Sequence, residues 1–220
     1  MFIVLLSYRS RGVQTFRRAQ LIKMIDNTLC HFKNNNIECR IVIAEQNNDE
    51  KFNRGFLLNV AFLESKVFNC KNYFHMNVDY YFDLTRKIPK DILNPSGFIE
   101  LFKPPYPVLG SACVFDSDSY ELINGFPNDL EGWGGDDWAI YNRIKARHIK
   151  LLKTPNHICN SGIITEINNQ FCVDQSNNEK NIRLSFRNDI ATNGINSIHY
   201  KIDGHGEFHN GNDVIHLLVN

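Results

Sequence analysis

"FIVLLSYRSR", residues 2–11, is a run of five apolar residues that ends in serine, tyrosine and two arginines. An unbroken apolar run of this length suits a strand covered on both faces, as at the centre of a parallel sheet. Its polar end then falls where the chain leaves the sheet. Leu21, Ile25, Leu29 and Phe32 follow at helical spacing. "RIVIAEQ" (40–46) repeats the buried-strand pattern around Ile41 and Ala44. Phe56, Val60, Leu63 and Val67 recur at i, i+4, i+7 and i+11, which predicts a helix over 54–68. "NYFHMNVD" (72–79) predicts a third strand ending on Asp79. This β-α-β-α-β order predicts an α/β domain with a twisted, mostly parallel sheet flanked by helices and joined by right-handed crossovers. Ligands of such sheets bind outside the carboxyl ends of the strands. Residues 7–11, Glu45, Gln46 and residues 77–79 all fall at those ends.

Further along, "KPPYP" (103–107) is a rigid connector, because each proline fixes its own φ. "VLGSACVF" (108–115) reads as a strand and 116–123 as a short helix with Gly125 near its end. A longer helix is expected from Asp136 or Asp137 to about Arg147, then a strand in "HIKLLK" (148–153). Residues 156–181 are polar and aperiodic and read as a long loop. "SIHYKI" (197–202) and "DVIHLLV" (213–219) are expected to be strands. No repeat and no boundary divides the chain, so one domain over 1–220 is expected.

Composition narrows the function. The chain has 24 basic and 24 acidic residues and no net charge, so it lacks the basic footprint of a general nucleic-acid binder. Its hydrophobic share of 43% can supply a core, which argues against disorder. The six cysteines form no CxxC pair, so a zinc site built on such pairs is not expected. The first apolar run has no basic segment before it, no small-residue cleavage site and too little length to cross a bilayer. The expected setting is cytoplasmic, or that of a soluble domain cut from a longer chain.

The densest chemistry lies in "INGFPNDLEGWGGDDWAIYNR" (123–143). Asp136 and Asp137 stand at a predicted helix start, where an aspartate often only caps free N–H groups. Capping accounts for one aspartate, and not for the "GWGG" ahead of it. Trp133, between Gly132 and Gly134, offers a flat apolar face suited to a sugar ring, against the plainer reading of a core tryptophan. Asp79 offers hard oxygen for Mn²⁺ or Mg²⁺, against the plainer reading of a strand-ending aspartate bonded to local backbone. His205 and His209 sit in a glycine-rich segment that reads as a turn, which argues against a metal site there.

Taken in order, the motifs "SYRSR" (7–11), "FNRGFLLNVAF" (52–62), "NVD" (77–79), the 123–143 block and "TNGINSIHYKI" (192–202) resemble those of the β-1,4-galactosyltransferase family. These are inverting, metal-dependent glycosyltransferases of the GT-A fold. The resemblance covers nearly the whole chain. It implies a GT-A-type, Rossmann-like single domain, with residues 1–115 binding nucleotide-sugar and 116–220 binding acceptor. It also implies transfer of a galactose-type hexose or N-acetylhexosamine from a UDP-sugar to a sugar hydroxyl, with Asp137 as general base. Arg9, Arg11, Phe52, Arg54, Asn77, Val78, Val108 and Ser111 are then expected to line the nucleotide-sugar. Trp133, Gly134, Asp136 and Trp138 are expected on the sugar and acceptor side. Asp79 would ligate the Mn²⁺ or Mg²⁺, joined by Glu166 or His157. The pattern departs from the family at Asn77, where an aspartate is usual, and at the missing third metal ligand, a histidine. It departs again at Trp138 and Ala139, where two acids are usual, and at Val108, where a tyrosine is usual. These departures imply a different acceptor, and room at Val108 for an N-acetyl group on the donor. They also leave open a non-catalytic sugar- or nucleotide-binding module of the same fold.

Overall fold

In a computed structural model, residues 1–10, 15–101, 108–109, 112–152, 164–166 and 178–220 are described. Strand β1 (Phe2–Tyr8) lies between β2 (Cys39–Gln46) and β3 (Asn72–Met76), parallel to both. Helix α1 (Thr15–Asn34) connects β1 to β2, and α2 (Arg54–Ser65) connects β2 to β3. Side chains alternate along β1. Phe2, Val4 and Leu6 pack with Leu21, Met24 and Phe32 of α1, while Ile3 and Leu5 pack with Leu57, Ala61 and Phe62 of α2. The two helices therefore cover opposite faces. Two right-handed crossovers require this when the chain moves one way along the sheet and then back past its start.

The sheet continues on both sides. Beyond β3 come β6 (Ala112–Asp116), β5 (Phe98–Glu100) and β7 (Leu151–Leu152); beyond β2 come β10 (Val214–Val219) and β9 (Ile202–His205). It is parallel at its centre, with antiparallel joins at β3–β6, β5–β6 and β9–β10. Helix α3 (Ser117–Leu122) follows β6, α4 (Asp136–Ala146) precedes β7, and α5 (Asn178–Leu184) stands beside α4. Among the described residues no helix is long and apolar enough to cross a membrane. Cys30, Cys39, Cys70 and Cys113 are free thiols.

Several expectations need correction. The third strand stops at Met76, not Asp79, because Asn77 accepts a hydrogen bond from Tyr80 N (3.2 Å) and turns the chain. The turn feeds a short strand β4 (Tyr80–Phe82), which pairs antiparallel with β8 (Ile164–Glu166) in a separate ribbon. The expected loop over 156–181 therefore contains a strand, and α5 begins within it. "SIHYKI" is not a strand as a whole: only its last residue, Ile202, joins β9. His205 is in β9 rather than in a turn. "KPPYP" lies outside the described residues.

Candidate active site

The site forms where β1 and β3 part, the crevice at which a sheet of this winding binds its ligands. Two sequence motifs interlock to build it. Asn53 caps α2: its Oδ1 accepts from Phe56 N (2.9 Å), and its Nδ2 donates to Asn128 O (2.7 Å). Asn59, one face further along α2, donates to Phe126 O and Asn128 Oδ1 and accepts from Phe126 N and the Tyr120 hydroxyl. Gly55 is a glycine because a Cβ there would lie 2.8 Å from Phe126 Cβ. These contacts fasten the start of α2 to the "NGFPN" turn and fix the place of Arg54, the first helical residue.

Arg54 is the hub. Its Nε donates to Asn77 Oδ1 (3.2 Å), its Nη1 to Asp137 Oδ1 (3.1 Å) and its Nη2 to His75 Nε2 (3.0 Å). Asp136 Oδ2 stands 3.9 Å from Nη1, and the guanidinium carbon lies 5.7 Å from the centre of the Phe126 ring. One planar fork thus joins α2, the end of β3 and the start of α4. Asn77 is used in this site as an uncharged acceptor.

The two aspartates differ in surroundings. Asp136 is buried, its Oδ1 has no hydrogen-bond partner, and burial, helped by the neighbouring Asp137 charge, pushes its carboxyl up to about 7. Arg54 pulls the other way without winning. The Asp137 side chain is a third exposed and can meet a ligand. One buried and one partly exposed carboxyl are suited to different tasks. His75 is held well below its ordinary range by burial and by Arg54, and so is neutral.

The glycine-rich loop arrives at α4 through Gly134 (φ +95) and Gly135 (φ +89), conformations that favour glycine. A Cβ on Gly134 would strike Asn178 Oδ1, and one on Gly135 would lie 2.6 Å from Asn181 O. Asn181 Nδ2 donates to Glu131 O (2.8 Å) and Trp133 O (3.4 Å), so α5 clasps the loop. Gly132 N donates to Phe52 O (2.7 Å). Trp133 is 44% exposed, which excludes the core reading. Trp138 packs against Phe186 at 5.7 Å, and Phe186 is itself 60% exposed, so the two rings form a partly exposed apolar pair. Behind the loop, Arg143 donates to Asn124 O, Gly125 O, Asp189 Oδ1 and Asn193 O, fixing α4 on the "NGF" and "TNGIN" turns.

The remaining expected residues fall as follows. Arg9 leaves the end of β1 and donates to Asn48 O (3.5 Å). Val108 is buried, and its neighbour Leu109 donates its N–H to Asp137 O (3.4 Å), so Val108 does stand beside the aspartates. Val78 turns its side chain into the α1-side core, which leaves its main chain for a ligand. Asp79 is buried in the turn after β3. Tyr80, its neighbour, is the register partner of Glu166, so β8 brings the Glu166 backbone next to Asp79. No group of three His, Cys, Asp or Glu residues suited to a metal occurs among the described residues. Arg11, Ser111 and His157 lie outside them. Sequence reading missed His75, Asn53, Asn59 and Arg143. The two asparagines and the arginine lay inside quoted motifs, whereas His75 carried no signal beyond being polar in an apolar strand.

Comparison with known proteins bears on the whole arrangement. A family model described as the N-terminal domain of galactosyltransferase matches residues 97–169. Mouse (Mus musculus) β-1,4-galactosyltransferase 2 is 28% identical over 182 residues, 74% of this chain and 46% of the relative. A β-N-acetyl-D-glucosaminide β-1,4-N-acetylglucosaminyl-transferase of Lymnaea stagnalis is 29% identical over 156 residues, 67% of this chain and 30% of the relative. The chain is thus similar in sequence to β-1,4-galactosyltransferases. It spans about half the length of the curated galactosyltransferase 2 relatives it matches. Its fold is that of the Drosophila β1,4-galactosyltransferase 7 catalytic domain, solved with xylobiose: TM-score 0.73, 18% identity, all of this chain and 95% of that one. A mutant of the same enzyme, solved with manganese, UDP-Gal and xylobiose, gives a TM-score of 0.72 over all of this chain and 94% of that one. The architecture is therefore GT-A.

Proposed function

We propose that this chain is a metal-dependent glycosyltransferase that moves a galactose-type hexose or N-acetylhexosamine from a UDP-sugar to a sugar hydroxyl, with inversion. One observation carries the reading: a third-exposed Asp137, bonded to Arg54, at the carboxyl ends of the central strands. The relatives named above support the UDP-sugar donor, and the structural neighbour that holds manganese supports the cation.

Asp137 would accept the proton of the acceptor hydroxyl as that oxygen bonds to the anomeric carbon. The bond to the UDP oxygen breaks on the opposite face of the ring. Asp136, largely protonated below neutral pH, would hydrogen-bond a sugar hydroxyl without adding charge. Trp133, Gly134 and Trp138 would hold the sugars, and Arg9, Arg11, Phe52, Arg54, Asn77, Val78, Val108 and Ser111 the nucleotide-sugar. Asp79 fits a hard divalent cation, with Glu166 or His157 completing its ligands; when bound, the cation neutralises charge on the leaving diphosphate. On this reading residues 1–115 serve the donor and 116–220 the acceptor.

The expected result of a UDP-sugar hydrolysis screen is turnover with Mn²⁺ that EDTA abolishes. Buried Val108 in place of a tyrosine leads us to expect UDP-N-acetylgalactosamine among the donors used. Absence of turnover with every UDP-sugar would favour the non-catalytic module.

A further inference from the structure

We propose that His75 is a positioning residue for the transfer reaction: it holds Arg54 so that the guanidinium presents Asp137 to the acceptor. The inference rests on the reading of Asp137 as the base and goes beyond it, because His75 touches neither sugar nor nucleotide in that reading.

His75 lies on β3, buried, with Arg54 Nη2 3.0 Å from its Nε2. A guanidinium can only donate, so Nε2 must accept and the ring proton must sit on Nδ1. Nδ1 faces Cys113 Sγ on β6 at 3.9 Å, and the ring meets Phe126 edge-on at 5.8 Å. The imidazole is thereby fixed on three sides. It supplies the acceptor for the side of Arg54 that faces away from the aspartates. Without it, a buried N–H of a charged group loses its partner, and the guanidinium is free to turn away from Asp137. The titratable and charged groups that face the ring are Arg54 from α2 and Cys113 from β6; Asp136 and Asp137 from α4 act on Arg54, and Glu100 from β5 acts on Cys113. A proton on His75 would set two cations face to face, so the ring works in its neutral form.

The test compares His75→Phe and His75→Gln with the parent chain in a Mn²⁺-supported UDP-sugar transfer assay. His75→Phe should lower kcat about tenfold. His75→Gln, whose amide oxygen can accept from Arg54, should restore most of the lost kcat. Thermal midpoints identify a variant that fails to fold. Nitrogen-15 NMR of the parent imidazole should show a neutral ring with the proton on Nδ1 from pH 8 to pH 5. The proposal is overturned if His75→Phe keeps the parent kcat, if His75→Gln is no better than His75→Phe, or if the ring is protonated at pH 6. Retained transfer in Asp137→Asn would instead overturn the base reading, whatever the His75 variants do.

Discussion

At the scale of single residues, the adjacent aspartates show how position divides chemistry. Asp136 is buried without a partner for Oδ1, while Asp137 is bonded to Arg54 and partly exposed. The raised value of Asp136 means that the fold favours its neutral form. That advantage is complete below the ordinary value of 3.8 and is lost as pH rises through about 7. Asp136→Asn keeps the shape and cannot ionise. In chemical denaturation it should match the parent near pH 3.5 and exceed it by on the order of 1–4 kcal/mol at pH 8. A difference that does not change with pH would refute the burial account. Asp137 and Arg54 were legible in the sequence because each sits in an ordered motif. His75 was not: its partners come from α2 and β6, and only the folded sheet brings them to it.

At the scale of elements, long periodic segments were legible and short ones were not. α1, α2, α4 and the central strands carry enough apolar residues for a period to show. β4 and β8 have three residues each and read as parts of loops. α5 lies in a polar stretch, and its worth is in two asparagines that clasp the tryptophan loop rather than in an apolar stripe. The glycines of "GWGG" thus have two physical causes, positive φ and the close approach of α5. Gly135→Ala should cost about 1–3 kcal/mol, from strain at φ +89 and a Cβ 2.6 Å from Asn181 O. Thermal denaturation would measure it, and an unchanged midpoint would contradict the account. The same clasp explains how Trp133 can be exposed and yet held, through its carbonyl, beside the aspartates.

At the scale of the whole molecule, the described residues form an eight-stranded sheet with its centre from the first part of the chain and its two edge strands, β7 and β9, from the second half. The parallel centre was legible from three buried runs. The antiparallel joins were not, because apolar runs do not state their direction. The arrangement places Arg54, Asn77, Asp136 and Asp137, which come from distant parts of the sequence, at one strand-end crevice. That convergence is the basis of the proposed sugar transfer. The most direct measurement is UDP binding by calorimetry beside sugar transfer in Asp137→Asn, both with Mn²⁺. Transfer should fall by about 10²–10⁴-fold, the usual worth of a general base, while UDP affinity stays within about twofold. Retained transfer, or an equal loss of transfer and UDP binding, would contradict the account.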